Sequence, residues 1–196
     1  GWGTSVSGSG STAALLLTIA NRPGVIQITA GTTTTGAVRL NSSQLNDFIL
    51  PISGGLIEFE QSARLLALSG SGNPDFVTRM GFGDPTATGD VTDGLYFECG
   101  SGNWFACAAN GGVRTKTDCG VGPAAMIWQT FNIRSTRLGA QEFYIDDVLR
   151  ATVSTNLPTA NTTELMPGQL VKSAGVNVAQ LQIDYTYFAY SFAAAR

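Results

Sequence analysis

What most constrains this chain is how often turn-forming residues interrupt it. Asn21 to Gly24, Ser69 to Pro74, Gly100 to Asn103, Asn110 to Gly112 and Gly120 to Ala124 each gather Gly, Pro, Asn or Ser, residues that set backbone angles a continuous helix cannot accept. Between such points the runs are short and β-prone. Asp93 to Cys119 contains LYFEC, WFACAA and VRTKTDC, three strands joined by two tight turns, and the last alternates as a strand with one wet face does. Gly55 to Leu68 is long enough for a helix, but Ile57 and Phe59 alternate with Glu58 and Glu60. Period two makes it a strand.

The same reasoning places the first strand at Val25 to Ala30 and puts the aromatic run Leu181 to Phe192 deep in a sheet. Asp146-Asp147 is a two-residue hinge between strands, of the kind that primed turns favour. About a dozen short strands without an amphipathic helix predict an antiparallel sandwich or jelly roll. A mass of 20.5 kDa folds as one domain exposing roughly 9,000 Å². The domain is expected over residues 22–196. Residues 1–21, opening on Gly and Ser with Trp2 among them, are expected to be a flexible or anchoring lead-in.

Charged residues make up 13% of the chain, against about 25% in an ordinary soluble domain. That low charge fits either a turn-rich β protein or a surface covered by copies of itself or by partners. The 11 basic residues are scattered singly and the net charge is -3, so nucleic acid is not an expected partner. Nor is a membrane: the longest apolar run, Ala13 to Ala20, falls well short of a span. Cys99 and Cys107 flank the first turn and point to opposite faces of their hairpin, so no disulfide joins them. All three cysteines read as small buried apolar residues.

The chain holds no His. Ser-His-Asp and Cys-His catalysis and His-containing zinc sites are therefore excluded within it. Glu58 and Glu60 share a strand face, as a glycosidase pair must, but QSAR follows where a third acid is needed. A solvated strand face is the plainer reading, and the chain is expected not to be an enzyme. Asp84, Asp90 and Asp93 sit on one polar loop with hard oxygen donors suited to calcium; alternatively they form turns. No cofactor is expected to be required, calcium being the one the loop could hold. Asn103 and Trp104, at a hairpin tip, suit carbohydrate binding if the ring is exposed, and the core if it is not.

RPGVIQITAGTTTTGAVRL, MGFGD, TDGLYFEC, NWFACAANGGVRTKTDCGV, EFYIDDVL and TNLP, spanning about residues 22 to 190, resemble the concanavalin A-like, laminin G-type jelly-roll domain of bacteriophage structural proteins. The resemblance implies an all-β, two-sheet antiparallel fold and a non-enzymatic component of the virion. It implies a capsid decoration protein or head-fibre module, or alternatively a tail-fibre module recognising host surface carbohydrate. The expected partners are other virion proteins and the chain itself in a cyclic homo-oligomer, a trimer being favoured. Asp146-Asp147 departs from the family's Gly-containing turn, and two adjacent carboxylates there need solvent or a cation.

Overall fold

The alternation seen at Ile57 and Phe59 recurs in other strands, and among the described residues every regular element of the computed structural model is a strand. It describes residues 2–16, 21–42, 55–69, 75–84, 89–136, 139–159, 163–175 and 177–192. In chain order the strands are β1 (Gly3–Ser7), β2 (Thr12–Leu16), β3 (Val25–Ala30), β4 (Ala37–Asn41), β5 (Gly55–Leu65), β6 (Phe76–Gly83) and β7 (Gly94–Cys99). There follow β8 (Phe105–Asn110), β9 (Val113–Asp118), β10 (Gln129–Ser135), β11 (Gln141–Ile145), β12 (Val148–Val153), β13 (Glu164–Lys172) and β14 (Ala179–Phe192).

They form two seven-stranded antiparallel sheets. The first has the order β1-β4-β13-β6-β7-β8-β9 and the second β12-β11-β10-β5-β14-β3-β2. This is the jelly-roll sandwich that the sequence predicted. The sheets meet through rings: Phe97 of the first packs edge-on against Phe131 and Phe143 of the second, with centroids 5.2 and 5.1 Å apart. Phe59 and Phe82 close the same gap at 5.7 Å. Such edge-to-face pairs add to plain burial because each ring's positive edge meets its neighbour's negative face. Gln61, though polar, lies in this core; its amide donates to the Pro167 carbonyl at 2.7 Å and accepts from Thr186 at 2.9 Å. The folded chain exposes 8890 Å², close to the expectation from its mass.

Two differences from the sequence reading stand out. Strands β1 and β2 precede Val25, one at an edge of each sheet, because β1 pairs with β4 and β2 with β3. Their Gly, Ser and Ala content carries little β signal of its own, and the pairing partners supply what propensity does not. Strand β14 does run centrally, between β5 and β3, yet its outward side chains Tyr185 and Tyr187 are exposed. Cys99 lies in the inter-sheet core and Cys107 in a separate cluster with Tyr96 and Met166. Their opposite orientations are as predicted, and all three cysteines are free and buried.

The Asp146-Asp147 turn is a primed one, with φ of 53° and 61°. Both residues are exposed, so solvent supports the carboxylates, and the Asp146 carboxylate also accepts the Thr130 N–H at 2.8 Å. Left-handed angles strain a residue with a Cβ. Asp147→Gly is therefore expected to stabilise the fold by about 0.5–1 kcal/mol. In thermal unfolding this reads as a rise of about 1–4 °C, and a fall in melting temperature would contradict the turn assignment.

Candidate functional site

The hairpin tip picked out by sequence belongs to the scaffold. Trp104 is 2% exposed, its indole N–H donates to Gln129 at 3.1 Å, and its ring packs edge-on against Phe131 at 4.8 Å. Backbone bonds from Trp104 N–H to Val121 O and from Cys119 N–H to Trp104 O draw it inward. No face of the indole is left for a ligand. Asn103 donates to both oxygens of Asp118, at 2.9 and 3.1 Å, and fastens the turn.

The three loop aspartates are close in sequence but have separate duties. Asp84 accepts from the Thr92 N–H and hydroxyl at 2.8 and 2.9 Å, and Asp93 from the Gly111 N–H at 3.0 Å. Asp90 turns away to Arg79 and Arg114. Among the described residues no group of three or more acidic or cysteine side chains is gathered as a metal site.

Asp90 belongs to an ion network on the outer face of the first sheet. Arg79, on β6, donates through Nε to Glu98 at 2.6 Å, through Nη1 to Gln169 at 3.0 Å and through Nη2 to Asp90 at 2.5 Å. Lys116, on β9, reaches the other Glu98 oxygen at 2.5 Å. Arg79 and Glu98 sit opposite each other in the β6–β7 register, and both are buried. Burial by itself raises the Glu98 carboxyl, but Arg79 and Lys116 outweigh it and hold the group below its ordinary value of 4.5. Three cations thus face two carboxylates, with Arg79 and Glu98 buried at the centre and Asp90 and Lys116 at the exposed rim.

The outer face of the second sheet is open at its tyrosines, although Ser62, Asn132 and Gln182 on it are buried. Residues directly opposite in an antiparallel pair share a face, so the register builds a grid. One row runs Tyr187, Glu60, Asn132, Tyr144 across β14, β5, β10 and β11, and the next runs Ala189, Glu58, Arg134, Glu142. A bulge between Ile183 and Tyr185 turns Tyr185 to the same side. Tyr185 and Tyr187 are 41% and 51% exposed.

The polar groups among them are fixed. Tyr185 O–H and Asn132 N–H both donate to Glu60, at 2.7 and 3.3 Å. Arg134 pairs with Glu58 at 3.2 Å and lies over the Tyr144 ring at 5.1 Å. Arg22 and Arg64 lie over Trp128 at 4.3 and 4.8 Å. An open recess of about 450 Å³ sits at the Glu58–Arg134 pair, walled by Leu56, Ala189 and Ser191. Glu58 and Glu60 thus share a face, as their spacing predicted. The tyrosines were missed, although the alternation in DYTYFAYSF carries the signal.

Comparison with known proteins agrees with this fold. The profile of the family described as SO2946-like, C-terminal domain, matches residues 21–184. Among solved structures the chain is similar to a protein of unknown function, SO2946 from Shewanella oneidensis MR-1, at 15% identity and a TM-score of 0.66, covering 98% of this chain and 80% of that one. It is similar to the carbohydrate recognition domain of Emp46p in its potassium-bound form, at 12% identity and a TM-score of 0.56, covering 95% and 87%. It is similar also to an alginate lyase from Corynebacterium sp., at 10% identity and a TM-score of 0.57, covering 85% and 77%. No curated protein matches it in sequence. A recognition domain and a lyase share the sandwich, so the fold alone decides neither binding nor catalysis.

The ion network makes a testable statement about pH. A carboxyl held below its unfolded value stabilises the fold fully above that value, and the contribution is lost as pH falls through the folded one. Denaturant stability of the chain is expected to drop below about pH 4.5. Glu98→Gln is expected to flatten that drop and to cost about 3–5 kcal/mol at neutral pH, since it takes a carboxylate from the buried Arg79. An unchanged acid profile in the variant would remove Glu98 from this role.

Proposed function

We propose that this chain, which belongs to the SO2946-like C-terminal domain family, is a binding module that takes carbohydrate on the outer face of its second sheet. The observation that carries this is the pair of exposed rings Tyr185 and Tyr187 set beside the hydrogen-bonded carboxylate of Glu60, with Glu58 in the next row. Tyrosine rings offer an apolar face to the C–H surface of a sugar and a hydroxyl to its rim. Glu60 is already oriented by its two donors, Tyr185 and the buried Asn132, so hydroxyl recognition there costs little further ordering. The likeness to a carbohydrate recognition domain supports the same reading.

Glu58 and Glu60 are the carboxylates a hydrolytic alternative would use. Glu58 is engaged by Arg134, and Glu60 already accepts from two donors. Both act as fixed acceptors, which favours binding over acid catalysis. The setting proposed is the surface of a virion, as the resemblance to bacteriophage structural proteins implies. An open face of this kind favours the receptor-binding form of that reading over a purely architectural one.

Glycan-array binding of the full chain is the test, with Tyr187→Ala and Tyr185→Ala alongside. Each variant is expected to lose at least tenfold in affinity, about 1.4 kcal/mol, while stability stays within about 0.5 kcal/mol as for other exposed positions. An array without binding would overturn the proposal. Release of reducing ends that stops with Glu58→Gln would replace it with an enzyme.

A further inference from the structure

The two lateral sides of the sandwich are built differently. On one side the sheets end in β9 and β12. Strand β9 carries Arg114, Lys116 and Asp118, and β12 carries Arg150 beside a bulge in its pairing with β11. Charges and bulges are what blunt an exposed sheet edge. Hydrogen bonds also tie this side shut: Thr115 meets the Thr155 hydroxyl at 2.8 Å and accepts from Asn156 at 2.9 Å.

On the other side the sheets end in β1 and β2. Residues 1–21 contain no charged side chain, the first being Arg22. Neither strand has a bulge in its pairing. Val6 lies opposite Val38 and Leu15 opposite Ile26, both of which pack in or against the core, so Val6 and Leu15 face inward between the sheets. Even so they are 53% and 60% exposed. Inward-facing apolar residues left half open mark a core that ends before it is covered.

We propose that this side is closed by a second copy of the chain, with β2 pairing antiparallel to β2 about a two-fold axis. The second sheet then continues from one copy into the next. The occupant follows from the shape of the opening. Both sheets stop on the same side, about 10 Å apart in stacking, so a single added strand caps one edge and leaves the other. A second copy presents two stacked edges with the same apolar gap. Charge agrees: the chain's net charge is -3, but none of it lies on β1 or β2, so two copies meet there without like-charge contact. Two-fold contacts join one surface to itself, and pairing centred on Ala14 sets a Leu15 opposite an Ala13 twice. A two-fold dimer also replaces the threefold assembly that the sequence resemblance favoured.

Light scattering on the full chain after size-exclusion chromatography is expected to give twice the mass of 20.5 kDa. Val6→Lys with Leu15→Lys is expected to give a monomer with unchanged far-ultraviolet circular dichroism, and Lys116→Ala on the opposite side a dimer. A monomeric or threefold mass for the unaltered chain overturns the proposal, as does a dimer that survives both lysines. Should the double variant unfold, amide exchange on the unaltered chain decides instead. The β2 amides that point away from β3 are expected to gain protection as concentration rises, and exchange independent of concentration overturns the pairing. Glycan binding is a separate measurement, so either proposal can fail without the other.

Discussion

A strand has two faces, and in a two-sheet sandwich only one of them can be turned to the dry interior; everything else in this molecule follows from how that choice is enforced. Phe97, Phe131, Phe143, Phe59 and Phe82 hold the sheets together by edge-to-face contact. Because side chains alternate strictly, fixing Phe59 inward also fixes Glu58 and Glu60 outward. A slip of one residue would bury both carboxylates, at a cost far beyond what a marginally stable domain can absorb. The candidate face is therefore positioned by the core, through register, without needing loops to hold it.

The two outer faces diverge from this common origin. On the first sheet, Arg79 and Glu98 are opposite in register, and Lys116, Arg114 and Asp90 complete a set in which three cations share two carboxylates. Such a network is costly to desolvate and strongly destabilising to break, which makes it a device for fixing strand order more than a source of net stability. On the second sheet the charges stay near water and the tyrosines stay open. Exposed aromatic rings, more than exposed charges, separate the candidate site from the scaffold.

Much of this was legible in the chain, and the misses have physical causes. Period two at Ile57 to Glu60 identified a strand against its helix-like length, and the primed turn at Asp146-Asp147 followed from two-residue spacing. Local patterns of that kind are complete within a few residues. Strands β1 and β2 escaped because β1 depends on β4, more than thirty residues away. Trp104 was ambiguous because a residue after a turn can swing either way, and only the bonds to Val121 and Gln129 decide it. Tyr185 and Tyr187 were credited to the interior because an aromatic strand reads as buried, although alternation puts Phe188 in and its neighbours out.

The placement of the tyrosines relative to the open edge links the two proposals. Strand β14 lies two places from β2 in the same sheet. Pairing through β2 would thus set two tyrosine faces on one continuous sheet, five strand spacings apart, or about 24 Å at the usual separation. A two-fold axis perpendicular to the sheet turns both faces to the same side. Weak recognition by exposed tyrosines then becomes useful, because a second site on the same polysaccharide binds at high effective concentration once the first is engaged. A shallow, open site on a single copy is poorly suited to tight binding on its own. Its openness suits repetition, and the uncharged edge of the same sheet is where repetition would be built.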